Sequence, residues 1–432
     1  MAELDLAALN VSTHDALALA LLGGTVEGIN DRGVIATANI PPNTVIAQIP
    51  LTSTISSSAL LANVEEFSAL STFANSSSSL SDDDLICLAI ILSRKESCPH
   101  PYLSTFSGFT NNLPATFDST IFLTPGSLPH NLLKGTNLMH STAMLQNQIA
   151  QDHAVLLKLL QDFSMVHVDM KDFFPTTEED FGLEDYVHGL FSVYSRACDL
   201  SMSVEGRDAG RVRLLCPFLD MLNHSTTSKV FYEFDTETGS VKIKTGEDEI
   251  LKDSEVTLNY GPLPNSKLLL FYGFSLPNNA HDFAELFVPL NPDLALYSSK
   301  LELLKTLSPT YLPSQPFQIK KGGAIPSTLL SLLRIMPLID LDGVDATFPI
   351  SDSNELGVLS ALEGALQGMS QAISGNLLLV GDDRKAEEDV NSIAEYEKVR
   401  IYVESELEIL STALQEVRGR ISAIQEGLEG CD

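Results

Sequence analysis

The chain has 432 residues, of which 44% are hydrophobic, so it can bury a substantial core and is long enough for more than one domain. Its 57 acidic and 26 basic side chains give a formal net charge of −31, which argues against direct binding of nucleic acid through the phosphates. An acidic excess instead favours a basic protein partner. We expect the chain itself to be a monomer.

Five cysteines are scattered along the chain without Cys-x-x-Cys or zinc-ligand spacing: Cys87, Cys98, Cys198, Cys216 and Cys431. This pattern predicts reduced, mostly buried thiols and no metal site. The apolar run over residues 16–22 follows Glu3 and Asp5, whereas a secretory signal begins with basic residues. No apolar stretch is long enough to span a membrane. We therefore expect a soluble protein of the cytosol, the nucleus or both, with no membrane partner.

The beginning of the chain predicts one helix, then short strands, then a second helix. Residues 1–22 favour an amphipathic helix that ends at Gly23 and Gly24. Turn residues separate three apolar runs, which predict strands at 26–29, 34–37 and 45–49. A short helix is expected near residues 59–73.

An acidic triplet follows Ser81 and is formed by Asp82, Asp83 and Asp84. Ser81 is a favourable N-cap residue, and carboxylates in a first turn offset the helix macrodipole. The triplet therefore indicates the start of a helix rather than a metal site.

The middle of the chain predicts two helices and then a region of hairpins. Apolar spacing indicates helices at 145–163 and 186–197. Residues 205–211 favour a polar connecting loop, and the apolar run 214–222 favours a buried strand that leads into a polar turn. Further strands are expected at 230–234, 241–243 and 256–259.

The C-terminal part of the chain predicts helices at 298–307, 328–336, 355–373 and 390–426. In the last of these, apolar residues recur in alternating steps of four and three: Val403, Leu407, Leu410, Leu414, Val417, Ile421 and Ile424. This spacing gives one apolar seam. A free coiled coil would explain it, but three heptads are few, so packing inside a helical bundle is favoured.

Three motifs in fixed order carry the most information about function. Residues 217–224 have the pattern Pro-x-x-Asp-x-x-Asn-His, residues 259–261 are Asn-Tyr-Gly, and residues 268–274 are Leu-Leu-Leu-Phe-Tyr-Gly-Phe. Alone, the first could be a turn whose side chains bond to their own backbone. Together the motifs resemble the core of the SET-domain methyltransferases, in the branch typified by the Rubisco large-subunit lysine methyltransferase.

The resemblance extends over most of the chain. Arg32 and Gly33 resemble the opening SET motif, although Asp31 stands where a Gly is common, and the chain lacks the Trp often found in the family's insertion. The resemblance implies an α+β fold: a SET domain at 1–287, interrupted by a helical insertion at about 80–205, and then an all-α substrate-binding domain at 288–432.

The resemblance also implies S-adenosylmethionine as methyl donor and assigns a set of site residues. Tyr260 would be the catalytic residue that aligns the acceptor nitrogen. The donor would be bound by Arg32, Gly33, Arg196, Asp220, Met221, Asn223, His224, Tyr260, Tyr272, Gly273 and Phe274, without a metal.

The expected activity is transfer of a methyl group to a lysine amine of a basic protein, such as a ribosomal protein. The reaction is an in-line displacement, so donor and acceptor must be held end to end, and the amine must be uncharged. Two alternatives stay open: a protein-histidine methyltransferase, and a catalytically silent SET-fold binding module.

Overall fold

A computed structural model describes residues 6–23, 30–62, 68–76, 80–95, 100–204, 207–383 and 390–429. The chain forms two compact units, residues 1–117 with 144–261 and residues 118–143 with 262–432. The limits of the predicted domains stay a prediction. The strand predicted at 26–29 lies outside the described residues, as do Cys98 and Cys431. No helix in the described ranges is both long and apolar enough to cross a membrane.

The described strands are short and pair in antiparallel fashion. They are β1 (Ser12–Thr13), β2 (Leu17–Gly23), β3 (Asn30–Ala36), β4 (Val45–Pro50), β5 (Ile55–Ser56), β6 (Cys198–Val204), β7 (Arg207–Leu215), β8 (Phe231–Asp235), β9 (Ser240–Lys244), β10 (Glu255–Val256), β11 (Phe283–Leu286) and β12 (Phe317–Lys320).

The described helices include two that exceed thirty residues, both near the C-terminus. They are α1 (Ser57–Ala62), α2 (Ser68–Ser76), α3 (Asp82–Ser93), α4 (Pro101–Ser104), α5 (Ser107–Thr110), α6 (Leu128–Leu132), α7 (Asn137–Val166), α8 (Leu183–Arg196), α9 (Asn265–Lys267), α10 (Tyr297–Leu307), α11 (Ser327–Ile335), α12 (Asp352–Asp383) and α13 (Val390–Glu429).

The first unit contains three small sheets, with strand orders β1-β4-β9-β8, β10-β3-β2 and β5-β7-β6. In the second sheet, Val34 of β3 lies opposite Val256 of β10, and both side chains are buried. This pairing places the residues just after β10 near the start of β3. It brings Arg32 and Tyr260 into the same part of the unit.

The predicted N-terminal helix is wrong, because Leu17–Gly23 forms β2 and pairs along its length with β3. Alanine and leucine are among the best helix formers, but helix propensity amounts to less than about 1 kcal/mol per residue, and pairing with a neighbouring strand overrides it. The predicted loop at 205–211 is also wrong over most of its length, since β7 begins at Arg207 and pairs with β6. The strand predicted at 256–259 ends at Val256, and Leu258 instead makes a single parallel bridge with His224.

Helix α3 begins as predicted. The Ser81 hydroxyl accepts a hydrogen bond from the Asp84 amide at 3.1 Å, and the Asp84 carboxylate accepts one from the Ser81 amide at 2.9 Å, which is a capping box. Helix α3 packs on α8. At this contact a Cβ on Gly189 would lie 2.6 Å from the Cys87 sulfur, so only glycine allows the close approach. Burial raises the pKa of the Cys87 thiol.

Helix α13 packs along α12 and against α6 in the second unit. Along the predicted apolar seam, Val403, Leu410 and Val417 are buried. The expectation of bundle packing is therefore confirmed over this part of the seam. The otherwise helical region after residue 288 also contains β12, which pairs with β11.

A buried ion pair joins α11 to α12. Arg334 donates to the two carboxylate oxygens of Glu355 at 2.6 and 2.8 Å, and these residues are 3% and 2% exposed. Arg334 also donates to the carbonyls of Ala346 and Thr347, while Arg420 of α13 donates to Glu355 at 2.9 Å. Bonding to Arg334 holds the pKa of Glu355 below its usual value. The pair thus ties three helices and one loop together.

We expect Arg334→Met to lower the free energy of unfolding by about 3–5 kcal/mol, because it leaves a buried carboxylate without its main partner. Arg418→Met is the matched control, since Arg418 of α13 pairs with Glu363, also on α12, but is 53% exposed. Its loss should cost about 0–1 kcal/mol. Urea denaturation followed by circular dichroism measures the free energy of unfolding of both variants. Equal losses would contradict the stabilising role of the buried ion pair.

A second buried carboxylate, Glu406 on α13, is 2% exposed and lacks a hydrogen-bond partner on Oε2 within the described residues. Burial raises the pKa of Glu406 to about 7, a hydrogen bond with Tyr402 opposes the rise, and the charges of Glu285 and Asp282 add to it. Burial also raises the pKa values of Asp282 and Glu285. Glu406 is therefore largely protonated below pH 7.

The contribution of Glu406 to the stability of the protein should fall as the pH rises from about 4.5 to about 7. The folded-state pKa of Glu406 lies above its ordinary value of 4.5, so its stabilising contribution is complete below pH 4.5 and is lost as the pH passes about 7. The loss is on the order of 3 kcal/mol. Glu406→Gln should flatten the pH dependence in urea titrations. If the free energy of unfolding of the variant depends on pH as in the wild-type protein, other groups cause that dependence.

Candidate active site

The turn after β7 is built around a strained residue. Phe218 has a φ of +72° and is 2% exposed, an uncommon conformation for a bulky side chain. A single 3-10 turn at Leu219–Met221 follows. The Asp220 amide donates to the Cys216 carbonyl at 3.2 Å. This turn directs the Asp220 carboxylate inward, where the side chain is only 3% exposed.

Asp220 lies between two arginines that are far apart in sequence. Arg196, the last residue of α8, donates from Nη1 to the Asp220 carbonyl at 2.6 Å and to its carboxylate at 3.3 Å. Burial raises the pKa of Asp220, and the charges of Arg196 and Arg32 oppose that rise. Burial lowers the pKa of Arg32, and the neighbouring Arg196 lowers it further. The three groups therefore form one charged cluster.

Asn223 connects the turn to two strands. Its side-chain nitrogen donates to the Arg32 carbonyl at 2.9 Å and to the Glu255 carboxylate at 2.8 Å. Its backbone carbonyl accepts from the Leu258 amide at 2.8 Å. Because both hydrogens of the amide are directed at acceptors, the side-chain oxygen points the other way as an acceptor.

His224 and Tyr260 contact each other directly. The Tyr260 amide donates to Nδ1 of His224 at 3.1 Å, and the ring centroids are 5.0 Å apart. Burial lowers the pKa of His224, which favours the neutral ring that this acceptor role requires. The Tyr260 hydroxyl donates to the Leu222 carbonyl at 2.7 Å. Both ends of Tyr260 are thus fixed to the Asn-His turn, and its hydroxyl oxygen keeps acceptor capacity.

The remaining predicted residues of the first unit lie close to these groups in the fold. Gly33 is buried in β3, opposite Ala20 of β2. Met221 ends the 3-10 turn and is 9% exposed. Arg32 donates from Nη1 to the Asn112 carbonyl at 2.8 Å, which fixes its guanidinium.

Tyr272, Gly273 and Phe274 belong to the second unit. They follow α9 at the end of a π-helical turn, Leu268–Tyr272. Gly273 has a φ of +77°, and a Cβ there would lie 2.8 Å from the Cβ of Asp118, so a side chain is excluded. The rings of Tyr272 and Phe274 are 6.3 Å apart. Their role in donor binding stays a prediction.

Sequence reasoning missed three residues that hold the site: Asn112, Leu222 and Glu255. Asn112 and Leu222 act through their backbone carbonyls. Every residue has a backbone carbonyl, so the sequence holds no signal for this role. Glu255 acts through its side chain. Its place just before the strand predicted at 256–259 was a weak signal, because an exposed glutamate is common at such a position.

The cluster fits the methyl donor that the resemblance implies. Nε of Arg196 and Oδ1 of Asp220 are buried and have no hydrogen-bond partner in the described part of the chain. The donor carries a carboxylate and an ammonium on its amino-acid end, and an arginine N–H and a carboxylate oxygen are complementary to these groups. No set of three or more His, Cys, Asp or Glu side chains is arranged to hold a metal ion among the described residues.

Comparison with known proteins gives consistent matches. Residues 31–261 match the model of the SET domain. The chain is 24% identical over 345 residues to the ribosomal lysine N-methyltransferase set10 of Schizosaccharomyces pombe, which covers 75% of this chain and 59% of that protein. It is 31% identical over 184 residues to SET domain-containing protein 4 of Artemia parthenogenetica, or 42% of each chain. The chain thus spans about two fifths to three fifths of these relatives.

The fold has a close counterpart among solved structures. The SET domain of LSMT bound to methyllysine and AdoHcy superposes with a TM-score of 0.74 and 18% identity, covering 96% of this chain and 90% of that one. At this level of identity the likeness establishes the shared fold.

Proposed function

Because this chain belongs to the SET-domain family, we propose that it is an S-adenosylmethionine-dependent protein-lysine N-methyltransferase. The observation that carries the proposal is the attachment of Tyr260 to the Asn-His turn through both its amide and its hydroxyl. Asp220 stands on the same turn and pairs with Arg196 at the end of α8. A positioned tyrosine hydroxyl and an amino-acid recognition site are the two parts that this reaction requires.

Two similar proteins support the choice of substrate class. One is a ribosomal lysine N-methyltransferase, and the other is bound to methyllysine and AdoHcy, the donor after loss of its methyl group. Lysine is therefore favoured over histidine as the acceptor. The retention of Asn223, His224 and Tyr260 argues against a silent binding module.

The residues of the site would act by binding and alignment. S-adenosylmethionine, when bound, supplies an electrophilic methyl group. Arg196 and Asp220 would hold its amino-acid end, and the side-chain oxygen of Asn223 is a further acceptor for its ammonium. Tyr260, whose hydroxyl proton is directed at Leu222, offers its oxygen to the acceptor amine. Alignment of this kind contributes on the order of 7–11 kcal/mol to lowering a barrier.

The acceptor amine must lose its proton before the reaction. A lysine ammonium has no lone pair, and transfer out of water favours the neutral amine. His224 accepts from the Tyr260 backbone on one ring nitrogen, so its task here is to place Tyr260. Desolvation of the acceptor, rather than a dedicated side-chain base, would then supply the nucleophile.

The proposed substrate is a basic protein such as a ribosomal protein, and the proposed compartment is the cytosol, the nucleus or both. The net charge of −31 favours such a partner. On α13, however, Glu404 pairs with Arg400 at 2.5 Å, and Glu408 lies 4.0 Å from Lys321. The attraction of a basic substrate would therefore depend on the net charge of the whole surface more than on the glutamates of α13.

The proposal is tested by incubating the purified protein with isotopically labelled S-adenosylmethionine and ribosomal proteins from cells that lack this chain. We expect label on a lysine, identified by mass spectrometry of the labelled peptide. Label on a histidine would replace lysine as the acceptor. Absence of donor binding in calorimetry at millimolar concentration would overturn the enzymatic function.

Tyr260→Phe should reduce turnover by about 10²–10³-fold, because one transition-state contact is lost, while donor affinity and folding are retained. Tyr232→Phe is the matched control, since Tyr232 is a half-buried tyrosine of the same unit whose hydroxyl also donates to a carbonyl, that of Asp199 at 3.1 Å. The control should keep wild-type turnover. Single-turnover rates and calorimetry measure the two effects, and similar rates for both variants would make Tyr260 structural.

A further inference from the structure

The charged cluster of the candidate site contains two positive groups and one negative group. Arg196 bonds to Asp220 through Nη1, and Arg32 interacts electrostatically with both. The Asp220 side chain is 3% exposed and that of Arg196 is 19% exposed. Charges on side chains as buried as these are only weakly screened by solvent and salt. The cluster therefore carries one net positive charge whose influence extends over the site.

The substrate and the product of the proposed reaction differ in charge. S-adenosylmethionine has a sulfonium, an ammonium and a carboxylate, and hence one net positive charge near pH 7. S-adenosylhomocysteine has lost the sulfonium and is neutral overall. A positive cluster consequently disfavours the donor relative to the product, and the carboxylate of Asp220 reduces this penalty.

We propose that the negative charge of Asp220 sets the preference of the site for the cationic donor over the neutral product. This inference rests on the proposed function and goes beyond it. Without the carboxylate, the cluster would carry two net positive charges instead of one, and the cationic donor would be disfavoured further. Asp220 is then a specificity-determining residue that limits inhibition by the product, in addition to fixing Arg196 in position.

A purely structural role predicts something different. If Asp220 only orients Arg196, its removal weakens the contact with the amino-acid end, which donor and product share. The affinities for both ligands would then fall by the same factor. The ratio of the two dissociation constants therefore separates the electrostatic role from the structural one.

The test measures dissociation constants of S-adenosylmethionine and S-adenosylhomocysteine by calorimetry for the wild-type protein and for three variants. Asp220→Asn keeps the shape and removes the charge. We expect the donor-to-product ratio of dissociation constants to rise about tenfold, which corresponds to unit charges roughly 10 Å apart at an effective dielectric constant of about 20–25. Product inhibition of turnover should increase by the same factor.

Arg32→Gln provides an independent arm, because it removes one of the two positive charges. We expect the ratio to shift in the opposite direction, toward the donor. Asp199→Asn is the matched control, since Asp199 pairs with a different arginine, Arg213, at 3.4 Å in the same unit. Its removal should leave the ratio unchanged.

Opposite shifts for Asp220→Asn and Arg32→Gln would support the inference. An unchanged ratio in both variants would overturn it while leaving the proposed function intact. If Asp220→Asn does not fold, an unchanged ratio in Arg32→Gln is sufficient to overturn it. Failure of the wild-type protein to bind either ligand would overturn the proposed function itself, and this inference with it.

Discussion

The hydrogen bond from the Tyr260 amide to the His224 ring is the contact on which the candidate active site depends. It joins a turn after β7 to the segment after β10, across 36 residues of sequence. The adjoining bridge between His224 and Leu258 holds the two backbones side by side. With these contacts formed, the Tyr260 hydroxyl reaches the Leu222 carbonyl. The side chain expected to align the acceptor is thereby bonded to the Asn-His turn at both of its ends.

Two buried ion pairs of this chain differ in how completely their polar atoms are hydrogen-bonded. Arg334 and Glu355 satisfy each other almost completely and join helices, which is the usual condition for burying an ion pair. Asp220 and Arg196 also pair, yet each has one buried polar atom without a hydrogen-bond partner among the residues that the structure describes. A buried polar atom without a hydrogen-bond partner lowers the stability of the fold. Such atoms are typical of binding sites, where the ligand supplies the missing partner. The contrast supports a structural role for the first pair and a binding role for the second.

Local sequence signals gave correct predictions where neighbouring residues decide the structure. The N-cap at Ser81 and the apolar seam of α13 each depend on residues of a single helix, so residue type and spacing are sufficient. The predictions at β2 and at the start of β7 were wrong because strand pairing decided those segments. Leu17–Gly23 has the composition of a helix but pairs with β3, and Arg207 begins a strand because β6 lies beside it.

The sequence by itself determined the family, the SET fold, the order of the motifs and the residue types of the site. The tertiary structure decided how those residues act on one another. Arg32 and Asn223 are 191 residues apart and meet through a backbone carbonyl, and the turn that carries the buried Asp220 contains Phe218 at a positive φ. The contact of Asn223 does not follow from residue type, since every residue has a backbone carbonyl. The positive φ of Phe218 does not follow from it either, since bulky residues rarely adopt that conformation. The charge balance of the site is therefore a property of the folded chain.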